Sequence, residues 1–217
     1  MAGLTIRQAV PGDTNRIAEL LAGDPGRESI ARAGSAERAI AFGTGIVRLT
    51  NSPQGWRHTA VAELDDRVVG IIQAGGHRGD MQLTPRLIYL AVQTFGPVGI
   101  VRLLPRLRAR RRVQPQTPPG AYHIAEVDVD PALRNKGIGA ALLKHAESEA
   151  LATGYQLMSL TTTTVNPARR LYERHGFRVI ATRTDPAYKR YTGIEGRHLM
   201  VKDLARSHAC TGGSPRC

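Results

Sequence analysis

Cysteine is nearly missing from this chain: of 217 residues only Cys210 and Cys217 are thiols, both in the terminal stretch SHACTGGSPRC, where Gly, Ser and Pro leave little to build a core from. A body without thiols excludes a disulfide scaffold, a CxxC redox centre and a cysteine nucleophile, and a reducing, cytoplasmic home is the expectation. An uninterrupted membrane-length apolar run is also lacking. The most apolar stretch, LIYLAVQTFGPVGIVRLL from Leu87, is broken by Gly96-Pro97 and reaches Arg102 too soon, so no transmembrane segment is expected. The beginning, MAGLTIRQAVPGD, has no apolar signal-peptide core, and no export is expected. Acidic residues are scarce: 18 Asp and Glu stand against 30 Lys and Arg, a formal net charge of +12. That surplus favours an anionic partner, whether phosphorylated cofactor, nucleic acid or membrane surface, without choosing among them. What remains, 41% hydrophobic and 22% charged, is ordinary globular composition with core enough for an enzyme.

The pattern along the chain predicts an α/β fold. LTIRQAV alternates as a strand and meets a turn at Pro11-Gly12. Asp13 is placed to cap the helix TNRIAELLAG, with Ile17, Leu20 and Leu21 on one face and Gly23 just past its end. SAERAIAFGTGIVRL reads as a second helix, and HTAVAELDDRVVGIIQAGG as a hairpin turning at Asp65-Asp66. From about residue 81 to 116 the strand pattern gives way to two helices, Pro85 to Phe95 and Val98 to Arg112, hinged at Gly96-Pro97 and followed by the stiff connector VQPQTPPG. YHIAEVDVD is a strand stopped by Pro131. The helix GIGAALLKHAESEALATG follows, with Ile138, Leu142, Ala146 and Ala150 at helical spacing and Gly154 as its stop. YQLMSLTTTTV is a further strand. NPARRLYERHG reads as a helix with Asn166 as cap and Pro at its first position, and FRVIATRT and RHLMVKDL supply two last strands. His145 and His175 have no partners at metal-ligand spacing, and no metal is expected.

Chemistry concentrates in RNKGIGAALL, Arg134 to Leu143, where two glycines and two cations open a helix. The first backbone N–H groups of a helix lack intrahelical acceptors and its dipole adds partial positive charge there. Gly137 and Gly139 let a diphosphate approach those donors, while Arg134 and Lys136 add full charges. A P-loop is excluded because the lysine precedes the glycines, and a dinucleotide fingerprint fails for want of its third glycine and of an acid at the end of the next strand.

VDVDPALRNKGIGAALL, followed at the right distance by NPARRLYERHGF, resembles the GNAT acetyltransferase superfamily over roughly residues 4 to 204. The resemblance implies one domain over residues 1 to 205, a mixed and mostly antiparallel sheet of about seven strands flanked by helices. A helical hairpin would be inserted before the fourth strand, and a disordered tail would occupy 206 to 217. It implies acetyl-CoA as donor and an amine acceptor, with the diphosphate on Arg134, Asn135, Lys136, Gly137, Ile138, Gly139 and Ala140. The pantetheine arm would lie along the fourth strand near Val127 and Val129, and Asn166 would contact the cofactor as well as serve as a cap. Tyr172 matches the family's acid for the departing thiolate; the alternative is an ordinary buried ring. For the base, the strand offers Glu126 first and His123 second, its unperturbed pKa of about 6.5 suiting neutral pH. Plain alternation puts His123 with Val127 and Val129 on one face and Glu126 with Asp128 on the other, unless a bulge intervenes. Carbonyl polarisation falls to the Val127 N–H.

The arginine-rich VRLLPRLRARRRVQPQ lacks the aromatic interleaving of a single-strand platform, so no specific nucleic acid is expected. It reads as a helical cover over the acceptor site or a homodimer contact. A second functional reading is a non-catalytic acyl-CoA-binding protein held to an anionic surface through this hairpin.

Overall fold

A computed structural model describes residues 3–22, 26–49, 59–76 and 84–205. The expected helix stop at Gly23, the first residues of the insertion and the tail from 206 lie outside the described residues. In chain order the elements are β1 (Leu4–Gln8), α1 (Thr14–Ala22), α2 (Arg27–Ala33), α3 (Ala36–Arg48), β2 (Thr59–Leu64), β3 (Arg67–Gly75), α4 (Pro85–Val113), β4 (Tyr122–Val129), α5 (Ile138–Ala152), β5 (Leu157–Thr163), α6 (Arg169–Arg174), β6 (Arg178–Thr184), α7 (Pro186–Thr192) and β7 (Gly196–Asp203). The strands form one seven-stranded sheet in the order β1-β2-β3-β4-β5-β7-β6, antiparallel throughout except for β4 beside β5. The expected fold class, with its helical insertion before the fourth strand, is therefore observed.

Two helices go beyond the sequence reading. In α2, RESIARA, the left-handed Gly34 ends a single short run. At α7 the Asp185 carboxylate accepts the Tyr188 N–H at 2.9 Å, Pro186 occupies the first turn and Gly193 closes the helix at φ 70°. The insertion bends where expected: Gly96, at φ 65° and ψ 172°, breaks α4 into two helical halves. By length and composition α4 could cross a membrane, with a mean hydropathy of 1.6 over its best 18 residues. The bend at Gly96 interrupts it all the same. Ile88, Tyr89, Val92, Val98, Val101, Leu104 and Leu107 are exposed along it.

The sheet separates two apolar layers. On one side α5 and α6 bury Ile138, Leu142, Leu143 and Tyr172 against Ile72, Ile124, Met158 and Met200. On the other, Ile17 and Ala18 of α1 and Val47 of α3 pack on Val61, Val68 and Ile71. A smaller cluster, Ala109, Val113, Tyr188 and Ile194, fastens the end of α4 to α7. The stripe read at Ile138, Leu142, Ala146 and Ala150 is buried throughout, as helical periodicity requires.

Candidate active site

The site begins where two strands part. β4 and β5 pair only at Tyr122–Met158, His123–Ser159 and Ile124–Leu160. Beyond Ile124 they diverge, although β3 stays on β4 to Val129 and β7 stays on β5 to Thr163. The Asp130 N–H donates to the Val69 carbonyl at 2.9 Å. Because successive residues of an antiparallel strand turn their backbone groups to opposite sides, those of Val127 and Val129 face the gap. The Val129 N–H donates to its neighbour Asp128 at 2.8 Å, and its carbonyl accepts Nε of Arg134 at 3.1 Å.

A bulge re-aims the side chains of β4. Gln73 stands opposite Glu126 and Ala74 opposite Ile124, so Ala125 is an extra residue. This corrects the simple alternation. Val127 and Val129 pack with Tyr122 and Ile124 on the α5 side, and Glu126 and Asp128 thereby share the side of His123. Glu126 is open to solvent yet recessed among protein groups. Desolvation is the main cause that holds its carboxyl above the usual carboxylate range; Asp128 and Glu28 push the same way, and Arg197 and Arg110 oppose them. His123 lies in the closed half of the strand pair, buried, its Nδ1 3.0 Å from the Ser159 hydroxyl.

Tyr172, on α6, is buried in the α5 layer with its ring edge-on to Phe177. Burial raises its phenol above the usual tyrosine value, and the carboxylates of Glu126 and Asp128 add to the effect. These three groups therefore sit within electrostatic reach of one another at the gap. Asn166 shapes the turn into α6: its Oδ1 accepts the Ala168 N–H at 2.8 Å and its carbonyl accepts that of Arg169 at 3.1 Å. Regular helix starts at Arg169, later than a cap at Asn166 with Pro167 in the first turn would put it.

The glycine turn opens α5 at the mouth of the gap. Asn135 at φ 64° and Gly137 at φ 80° adopt left-handed backbone, which swings the chain from β4 into the helix. Arg134, Asn135, Lys136 and Gly137 are exposed, whereas Ile138 is buried as the anchor of the first turn. Arg134 also reaches Asp128 at 3.5 Å.

One group of residues escaped the sequence reading. Glu28 of α2 is shared between Arg110 of α4 and Arg197 of β7. Arg197 also donates to the Thr161 carbonyl at 3.2 Å and hydroxyl at 3.3 Å. Burial pushes the Arg110 guanidinium down to about 10, with Arg197 adding and Glu28 opposing. A signal was present in RHLMV: by period two, Arg197 falls in phase with the buried Leu199 and Val201, an unusual place for a cation. Among the described residues no group of three or more His, Cys, Asp or Glu is arranged to hold a metal ion.

A parallel strand pair that splays apart and a left-handed glycine turn at the start of the helix after it mark the class of this α/β fold. The chain belongs to the acetyltransferase (GNAT) family, whose profile matches residues 35–177. It is 37% identical over 82 residues to a streptothricin acetyltransferase of Streptomyces lavendulae, a match spanning 37% of this chain and 42% of that protein. Among solved structures it resembles an acetyltransferase at TM-score 0.64 and 24% identity, covering 92% of this chain and 99% of the other. It also resembles the PaiA N-acetyltransferase of Thermoplasma acidophilum in complex with coenzyme A, at TM-score 0.55 and 17% identity, covering 93% and 99%.

Proposed function

We propose that this protein transfers an acetyl group from acetyl-CoA to a primary amine, on a small molecule or a protein, in a direct ternary complex. The observation that carries the reading is the gap between β4 and β5. The backbone of Val127 and Val129 turns toward it, the Val129 groups engaged by Asp128 and Arg134, and it ends at the N-terminus of α5. An extended amide-bearing arm fits such a strand edge as an added strand would. A diphosphate fits the N–H groups of Ile138, Gly139 and Ala140, with Arg134 and Lys136 nearby. In this arrangement Glu126 takes the proton from the incoming ammonium, directly or through water, and the Val127 N–H polarises the thioester carbonyl. Tyr172 gives its proton to the departing thiolate; burial that resists phenolate formation keeps that proton in place. Glu126 is preferred over His123 as base because it stands at the open half of β4. The thiol-free body supports a cytoplasmic setting.

The test is Tyr172→Phe, which keeps the ring against Phe177 and removes only the hydroxyl. Thiol release from acetyl-CoA should fall by about 10²-fold with a panel of amines, as expected for loss of a general acid, with the coenzyme A Kd unchanged. Unchanged thiol release with intact binding would remove Tyr172 from the mechanism and favour a protein that binds the thioester without turnover.

A further inference from the structure

A second concave site lies on the opposite side of the sheet from α5, between the α2–α3 junction and the second half of α4. It encloses about 260 Å³. Four arginines from three elements line it, Arg32 at the end of α2, Arg38 in the first turn of α3, and Arg102 and Arg106 on α4, together with Phe95 and Leu103. Among the described residues no carboxylate lines it. Among the described residues none of these four guanidinium groups forms an ion pair, in contrast to Arg110 and Arg197, which share Glu28.

Local structure accounts for two of the four. Arg32 complements the negative end of α2, and Arg106 donates to the Arg32 carbonyl at 3.2 Å while lying over the Tyr191 ring. Arg38 is placed against its own helix: a cation in the first turn of α3 meets the positive end of the dipole. Arg102 is exposed. Guanidinium groups remain charged at any physiological pH, so gathering four around one hollow, with Arg38 and Arg102 exposed, gives it a positive potential that attracts an anion.

We propose that this cavity binds a compact phosphate-bearing anion through Arg32, Arg38, Arg102 and Arg106. Guanidinium forks match phosphate oxygens in pairs. The volume lies below the roughly 300–1,000 Å³ of sites for drug-sized molecules, so it suits a phosphate or diphosphate group rather than a large ligand. The group could arrive on a soluble metabolite or on a lipid headgroup, since Val98, Val101 and Leu104 are exposed on the same helix.

The experiment titrates pyrophosphate into the full chain by calorimetry, comparing wild type with variants of the cavity, which share an unaltered glycine turn. We expect binding that weakens at least tenfold in Arg38→Ala/Arg102→Ala, with coenzyme A affinity and circular dichroism unchanged. Arg38→Lys/Arg102→Lys, which keeps charge but loses the fork, should fall between. Competition by phosphatidic acid vesicles, but not by phosphatidylcholine vesicles, assigns the headgroup as source; pyrophosphate binding indifferent to both assigns a soluble phosphate. No pyrophosphate binding by the full chain, or equal binding by wild type and the alanine variant, overturns the proposal.

Discussion

Gly137 and Gly139 stand two positions apart and meet different demands. Gly137 is at φ 80°, where a side chain strains the backbone. At Gly139 an added Cβ would come within 3.1 Å of a methyl of Leu171, so this glycine makes room for that side chain of α6 against α5. Gly137→Val should therefore cost about 1–3 kcal/mol in denaturant unfolding and weaken coenzyme A binding in the same samples. Gly139→Ala, which meets only the end of a flexible side chain, should be milder in both measurements. Glu126 gives a prediction in pH. Because desolvation raises its carboxyl, a base role makes activity fall on acidification at a pH above the usual carboxylate range, and Glu126→Gln should abolish that acidic limb in rate profiles. The stability consequence has the opposite sign. Folded Glu126 holds its proton more tightly than the unfolded chain does, so its contribution is present at pH below about 4.3 and lost as pH rises through the folded value. Glu126→Gln should accordingly melt higher than wild type at neutral pH, with the difference vanishing in acid.

At the scale of elements, what was legible in the sequence was local. The glycine turn, the hinge at Gly96 and the stripe of α5 are each written in neighbouring residues, and each appears where read. The Ala125 bulge is not local, since it exists only in the register between β3 and β4. Without it Glu126 and Asp128 sit on the wrong side of the strand. The helix α2 was missed because seven residues offer little period, and α7 because its Asp-Pro start lay inside what read as a strand connection. The Glu28 cluster is legible only at one end, in the buried phase of Arg197; its partner Glu28 lies 169 residues away in sequence, where nothing local points to it. Glu28→Ala would leave two largely buried guanidinium groups, with side chains 26% and 9% exposed, facing each other. Equilibrium unfolding should show a loss of about 3–5 kcal/mol, since breaking one member of a buried ionic group strands the others.

The whole molecule is joined across its middle by very little sheet. β1 to β4 form one antiparallel block and β5, β7 and β6 another, and three residue pairs connect them. The Glu28 cluster spans the same divide from outside, tying α2 and α4 to β7. Such a seam resembles a zip closed at one end only. Whatever lies between Val127 and the facing strand supplies the missing teeth, so occupancy and cohesion become a single property. Coenzyme A at 100 times its Kd should then stabilise the chain by about 2.7 kcal/mol, as mass action requires. The gain should appear as slowed hydrogen exchange along β4 and β5 together, the two blocks ceasing to breathe apart.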